Sequence, residues 1–138
     1  MAATGTHPGT LTMLSLLSKQ VYKRASEDLL GMSQRHYLAL HFLPEPDGLP
    51  QQQLSEILCI DANNTVLLLN EMEGQGLIRR VRDPADRRRH VVEVTEHGEE
   101  LFQRAQRAKE TVEDEVLGAL STQERATLHR LLAKALGD

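Results

Sequence analysis

Tryptophan is absent from this 138-residue chain, and two tyrosines with two phenylalanines make aromatics only 3% of it. Its core must therefore be aliphatic, built on leucine with a few of the four methionines. A single cysteine excludes an internal disulfide and suits a reducing compartment, so a cytoplasmic location is expected. Long apolar runs are missing too. The stretch from Leu11 to Leu17 is far too short to span a bilayer and lacks the charged lead-in and small-residue exit of a signal peptide. Six histidines, at 7, 36, 41, 90, 97 and 129, form no i,i+4 pair on a helix and have no cysteine at zinc spacing. With no Gly-rich phosphate loop and no nucleophile beside a base, neither catalysis, a metal nor a cofactor is expected.

Against these absences stands one concentration. Six of the sixteen basic residues fall between Arg79 and His90, as Arg79, Arg80, Arg82, Arg87, Arg88 and Arg89. Set against Asp83 and Asp86 they leave the stretch at +4, while the whole chain is −4 and its remainder −8. Leu77-Ile78 precedes the loop and Val91-Val92-Glu93-Val94 follows it, the pattern of a β-hairpin whose tip is aimed at phosphate. An overall pI near 5.9 argues against non-specific coating of nucleic acid but not against a focused contact.

Apolar spacing orders the rest. Residues 1–9 have no periodicity and are expected to be a flexible terminus. Leu11, Leu14, Leu17, Val21, Ala25 and Leu29 form one stripe, predicting a helix from Thr10 that Gly31 ends. Ser33 caps a second helix carrying Tyr37, Leu40 and Leu43, stopped by Pro44-Glu45-Pro46-Asp47-Gly48. Leu49 before Pro50 suits the first turn of a third helix with Leu54, Ile57 and Leu58. Asp61 caps a fourth, Ala62 to Gln75, with Gly76 at its C′ position. Only Cys59-Ile60-Asp61 separates these two, a helix-turn-helix pattern. After the hairpin, Thr95 caps a long helix to about Leu120, with an i,i+4 Glu100–Arg104 pair. Ser121-Thr122-Gln123-Glu124 is a capping box opening a last helix. The fold class is thus mainly α with a small two-stranded β-wing. The first and last helices carry more apolar surface than a small module can cover, so Leu11, Leu14, Leu128, Leu131 and Leu132 are expected at a homodimer interface.

From Gly76-Leu77-Ile78-Arg79-Arg80 through Asp83-Pro84-Ala85-Asp86-Arg87-Arg88 to Val94-Thr95-Glu96-His97-Gly98, the chain resembles the wing of the MarR (multiple antibiotic resistance regulator) family without insertion or deletion. The likeness in element order extends from Leu11 to Leu136. It implies a winged helix-turn-helix transcription regulator, dimeric through its terminal helices and bound to a pseudo-palindromic duplex operator. The resulting layout is a DNA-binding lobe at 33–95 within a single domain at 10–138, with 10–30 and 96–138 as dimerisation helices. The resemblance also implies that Arg88, then Arg87, reaches the minor groove, and that Asp86 holds the arginine by a salt bridge. A narrow minor groove has enhanced negative potential, which favours arginine there. Arg79, Arg80, Arg82 and Arg89 are further candidates for phosphate contact or simple solubilising charges.

On the fourth helix, Thr65, Leu68, Leu69 and Met72 share one face, and Asn63, Asn64, Leu67 and Glu71 point away at 100° per residue. Asn63 and Asn64 either pair with adenine or merely cap; Leu67 suits a thymine methyl. Thr65 is grouped with them as a candidate. Glu71 is unfavourable near phosphate unless it accepts from a cytosine amino group or pairs with an arginine. In relatives a small aromatic or phenolic effector binds where this chain has Met13, Leu17, His36, Tyr37 and His41. Cys59 occupies a turn where many relatives have glycine and is expected to be a small buried thiol. The function predicted is a ligand-responsive repressor. The competing readings are a winged-helix protein-interaction module and a regulator that senses oxidants through Cys59.

Overall fold

The apolar stripe that predicts one helix from Thr10 to Leu29 is interrupted in the structure. The computed structural model describes residues 8–44 and 47–138; most of the expected flexible terminus, and Glu45-Pro46 of the stop after the second helix, lie outside the described residues. Helix α1 spans Thr10–Arg24, and a separate four-residue helix, α2, spans Glu27–Leu30. Ser26 causes the break. It sits in extended backbone and its hydroxyl accepts from the Leu29 N–H, so the chain restarts with a fresh cap instead of continuing the old turn. Gly31, at φ 80°, closes α2.

The remaining elements are α3 (Gln34–His41), β1 (Leu49–Pro50), α4 (Gln51–Leu58), α5 (Ala62–Gly74), β2 (Ile78–Arg82), β3 (His90–Val94), α6 (Glu96–Val116) and α7 (Thr122–Ala135). The sheet has three antiparallel strands in the order β1-β3-β2, not two. Its extra strand corrects the reading of Leu49-Pro50 as a helix start: Leu49 pairs with Val92 and Pro50 with Val91, and α4 begins only at Gln51. Gly48 makes this possible. At φ +68° it passes so close to the Val92 carbonyl that any Cβ would collide with it.

The chain divides into two units. One comprises residues 26–108 and contains α2 through β3 with the first part of α6; the other comprises 1–25 and 109–138. In the 26–108 unit, Leu30, Leu54, Leu69, Met72, Leu77, Ile78 and Val92 are fully buried, an aliphatic core as the composition requires. Each such side chain contributes roughly 1.5–3 kcal/mol by leaving water. Helix α5 ends in a Schellman turn: Leu77 N–H donates to Met72 O, Gly76 N–H donates to Glu73 O, and Gly76 takes φ +76°. That turn delivers the chain directly into β2.

The other unit buries Ala25 and Val112 but leaves Leu11, Leu14, Leu16, Leu131 and Leu136 exposed, Leu11 at 79% and Leu136 at 88%. Leu132 is exposed and Leu128 half-buried. Its polar ties include Arg24 Nη1 to Glu115 Oε2 at 3.2 Å and Arg125 Nη1 to Asp114 Oδ1 at 2.7 Å. The Ser121–Glu124 capping box is formed on both sides, and the bonds from Ser121 hold the Glu124 carboxyl below its ordinary pKa. Helix α6 stops at Val116, short of the Leu120 expected. On its outer face the side-chain bond is Gln103 Nε2 to Glu99 Oε1, in place of the anticipated Glu100–Arg104 pair.

Candidate nucleic-acid interface

The wing is built by its own backbone and by four of its arginines. Strands β2 and β3 pair from Ile78↔Val94 to Arg82↔His90, and the tip is closed by Asp83 N–H to Arg89 O and Arg89 N–H to Asp86 O. Arg82 Nη1 donates to the Arg87 carbonyl at 2.7 Å, bracing the tip from inside. Asp86 Oδ1 accepts from both the backbone N–H and the Nε of Arg88, at 3.1 and 3.2 Å. Those two bonds hold the Asp86 carboxyl below its ordinary value. The Arg88 side chain is still 91% exposed.

The two arginines on β2 behave differently. Arg79 pairs with Glu93, directly across the ladder, at 2.9 Å. Arg80 turns back onto α5, donating to Asn70 Oδ1 at 2.6 Å and to Glu73 Oε1 at 2.8 Å. Its backbone N–H also reaches Glu73 Oε2, and together these bonds depress the Glu73 pKa. Only 20% of the Arg80 side chain remains exposed. Its charge is thus spent on joining strand to helix. Arg87 and Arg89, both exposed, enter none of these ion pairs.

Helix α5 is positioned by the turn before it. Asp61 accepts the Asn64 backbone N–H at 2.7 Å and the Asn64 side-chain Nδ2 at 3.0 Å. The two asparagines are therefore not equivalent. Asn64 is engaged in the cap, while Asn63 is exposed outside it. Leu67 is exposed at 59% and Val66 at 38%, a small apolar strip on the same helix. Thr65 is a correction. It is 0% exposed, its hydroxyl donating to the Asp61 carbonyl and accepting from Ser55 Oγ at 2.6 Å, so it locks the elbow between α4 and α5 from inside.

Cys59 is a second correction. The thiol is exposed, not buried. Its backbone is left-handed at φ 57°, where Ile60 N–H reaches Ser55 O and Cys59 N–H reaches Glu56 O to end α4. A turn of this form favours glycine, and the side chain that replaces it is directed outward.

The residues grouped as an effector pocket belong to both units. Met13 is exposed and Leu17 half-buried on α1. In the 26–108 unit, His36 is buried and donates from Nε2 to Glu71 Oε2 at 3.2 Å, while its Nδ1 has no partner among the described residues. Glu71 is thus tied by a histidine within the protein. Tyr37 and His41 gather around Phe102, which the sequence reading missed: Tyr37 stacks on it at 5.1 Å and His41 lies 6.0 Å from it. Burial raises the Tyr37 pKa. A phenylalanine 61 residues beyond His41 carries no local signal of this neighbourhood.

Residues 32–90 match the family model described as the MarR family. Over 123 residues, spanning 89% of this chain and 91% of the relative, the sequence is 30% identical to the transcriptional regulator HosA of Escherichia coli O111:H-. The chain belongs to the MarR family of transcriptional regulators. Among solved structures, the transcriptional repressor CouR bound to a 23-mer DNA duplex superposes with a TM-score of 0.82 at 26% identity, covering 93% of this chain and 92% of CouR. PcaV from Streptomyces coelicolor in complex with its natural ligand superposes at 0.74 with 25% identity, covering 99% of this chain and 97% of PcaV. The MarR-family match spans Met32 to His90, from just before α3 to the first residue of β3, and so contains every wing arginine and all of α5. Among the described residues, no helix is long and apolar enough to cross a membrane, and no His, Cys, Asp or Glu cluster could hold a metal.

Proposed function

We propose that this regulator acts as a homodimer on a pseudo-palindromic duplex operator, as a repressor that a small aromatic or phenolic ligand releases. One observation carries the DNA reading. The wing spends Arg79, Arg80 and Arg82 on its own framework and leaves Arg87, Arg88 and Arg89 exposed at a tip whose backbone is hydrogen-bonded in place. Rigid presentation of charge costs less ordering on binding than a flexible basic loop would. In this reading Arg88 and Arg87 enter the minor groove, Asp86 aims Arg88, and Asn63 with Leu67 faces base edges in the major groove. CouR in its duplex complex supports the assignment by analogy.

Dimerisation is supported by the leucines left open at Leu11, Leu14, Leu131 and Leu132, and it would place two reading helices on adjacent half-sites. The ligand-bound form of PcaV supports release by an effector. In this chain, Tyr37 and His41 beside Phe102 offer an aromatic surface of the right chemistry. A ligand can shift the DNA-competent population only by binding the two states differently.

The decisive experiment is duplex binding by the purified protein across a salt series. Affinity falls steeply with salt, and the Arg87→Ala, Arg88→Ala double variant binds more weakly with a log–log slope reduced by about two. Unchanged affinity in that variant overturns the wing assignment. A second reading, a winged helix that docks protein, rests on the exposed Val66–Leu67 strip. It predicts no duplex binding even at low salt.

A further inference from the structure

A polar cleft of about 420 Å³ lies where the turn from α2 to α3 meets the end of α5, wholly within the 26–108 unit. Glu27, Asp28, Ser33, His36 and Gln75 are its polar lining, and no lysine or arginine lines it. His36 is the unusual member. It is only 5% exposed, and while its Nε2 is bonded to Glu71, its Nδ1 has no partner among the described residues. A neutral imidazole that donates from Nε2 carries an acceptor lone pair at Nδ1. Left unmet in a buried position, such an acceptor is costly, so it calls for a donor from outside the chain. We propose that this cleft binds a small organic cation through its N–H groups, one donating to His36 Nδ1 while the charge rests against Glu27 and Asp28. The proposal does not depend on the DNA reading. It also describes a site of opposite chemistry to the aromatic surface at Phe102, because two carboxylates repel a phenolate or an aromatic acid.

The charge around the cleft is one-sided. Glu27 and Asp28 are exposed in the first turn of α2, and neither α2 nor α5 has a basic residue in its last turn. Gln75 is the C-cap of the 13-residue α5, so the partially negative end of that helix reaches the same lining. A helix start favours acids, which accounts for Glu27 and Asp28 but not for the lone pair of His36. A metal ion fits less well, since no His, Cys, Asp or Glu cluster among the described residues could hold one. Ammonium and guanidinium groups supply both the charge and several N–H donors.

The histidine is held in place from both sides. Its backbone N–H donates to Ser33 Oγ at 3.1 Å, which caps α3, and its ring is tied to Glu71 on α5. A donor at Nδ1 polarises the ring and strengthens the bond from Nε2, because linked hydrogen bonds reinforce one another. Occupancy therefore steadies the last turn of α5, from Glu71 to Gln75.

The test is a titration of the full-length protein with agmatine, which carries a guanidinium and an ammonium group, followed through the imidazole nitrogen resonances at constant ionic strength. The His36 Nδ1 resonance is expected to move saturably at millimolar agmatine, and amide exchange from Glu71 to Gln75 to slow. Tetramethylammonium, a cation without N–H groups, is expected to bind at least about tenfold more weakly. The Glu27→Gln, Asp28→Asn double variant keeps its fold and loses about tenfold in agmatine affinity. His36→Gln retains a donor near the position of Nε2 but no acceptor at Nδ1, and agmatine binding is expected to be lost. Should that variant fail to fold, the double variant still decides. An unmoved Nδ1 resonance, equal binding of tetramethylammonium, or unchanged affinity in the double variant overturns the proposal and leaves the lone pair to water.

Discussion

The wing and helix α5 are neighbours in one unit, yet they are written in opposite chemistries. The wing from Arg79 to His90 carries six arginines and ends in exposed guanidinium groups. Helix α5 has no lysine or arginine, and its acids are tied: Glu71 to His36 and Glu73 to Arg80. The difference separates attraction from discrimination. In the proposed reading the salt-dependent grip belongs to the wing, whereas α5 offers short neutral groups, Asn63 and Leu67, suited to contacts that depend on base identity. Tying Glu73 to Arg80 within the protein reduces its opposition to the grip, since a carboxylate already held by a cation repels phosphate less.

The largest expected effect breaks both regions together. Leu69 is 0% exposed under α5, and Leu69→Ala should cost about 2–5 kcal/mol in denaturant unfolding. Because Arg80 clamps β2 onto the same helix, loss of α5 should abolish duplex binding even though every wing arginine remains. Residual salt-dependent duplex binding by the variant would show that the wing grips without an ordered α5.

How far this organisation is legible in the sequence depends on the range of the interaction. The wing shows plainly because its charges, its Pro84 turn and its flanking valines are local. The buried stripe of α5, with Leu68, Leu69 and Met72, is legible for the same reason, and the structure buries all three. The partners of Arg80 are not legible, because Asn70 and Glu73 lie on another element and equal spacing would have allowed an outward side chain. The two-residue strand β1 has no alternation to read, and Pro50 suits a helix start as well as a strand end. The break at Ser26 is hidden by Ala25 and Leu29, which stay in register with the α1 stripe while the serine side chain diverts the backbone. Thr65 misleads because its hydroxyl is a possible base contact in sequence but an internal bolt in three dimensions.

A smaller effect isolates α5 from the wing. Cys59 holds a left-handed conformation at φ 57°, which costs a side chain roughly 1–2 kcal/mol relative to glycine. Cys59→Gly relieves that strain, while glycine's greater freedom in the unfolded chain takes some of the gain back. Thermal unfolding should show a net stabilisation of about 1 kcal/mol or less. The wing is untouched, so the salt slope of duplex binding should not change. A stability loss would mean that the thiol, not the backbone, is what this turn needs.

The smallest effect confines itself to the wing and turns on a sign. Bonds from Arg88 hold Asp86 below its ordinary pKa of 3.8. Its contribution to wing order is therefore complete above 3.8 and is lost as pH falls through the lowered value, a change that carboxyl chemical shifts should record without global unfolding. Asp86→Ala mimics the loss at neutral pH and raises the charge of the wing by one. If charge were all that mattered, duplex affinity would rise. If Asp86 aims Arg88, affinity falls severalfold despite the added charge, because an unheld guanidinium must be ordered on binding. The bonds to both the backbone and the side chain of Arg88 favour the second outcome. A measured gain in affinity would reduce Asp86 to a counter-ion and leave the tip geometry to Arg82 and its bond to the Arg87 carbonyl.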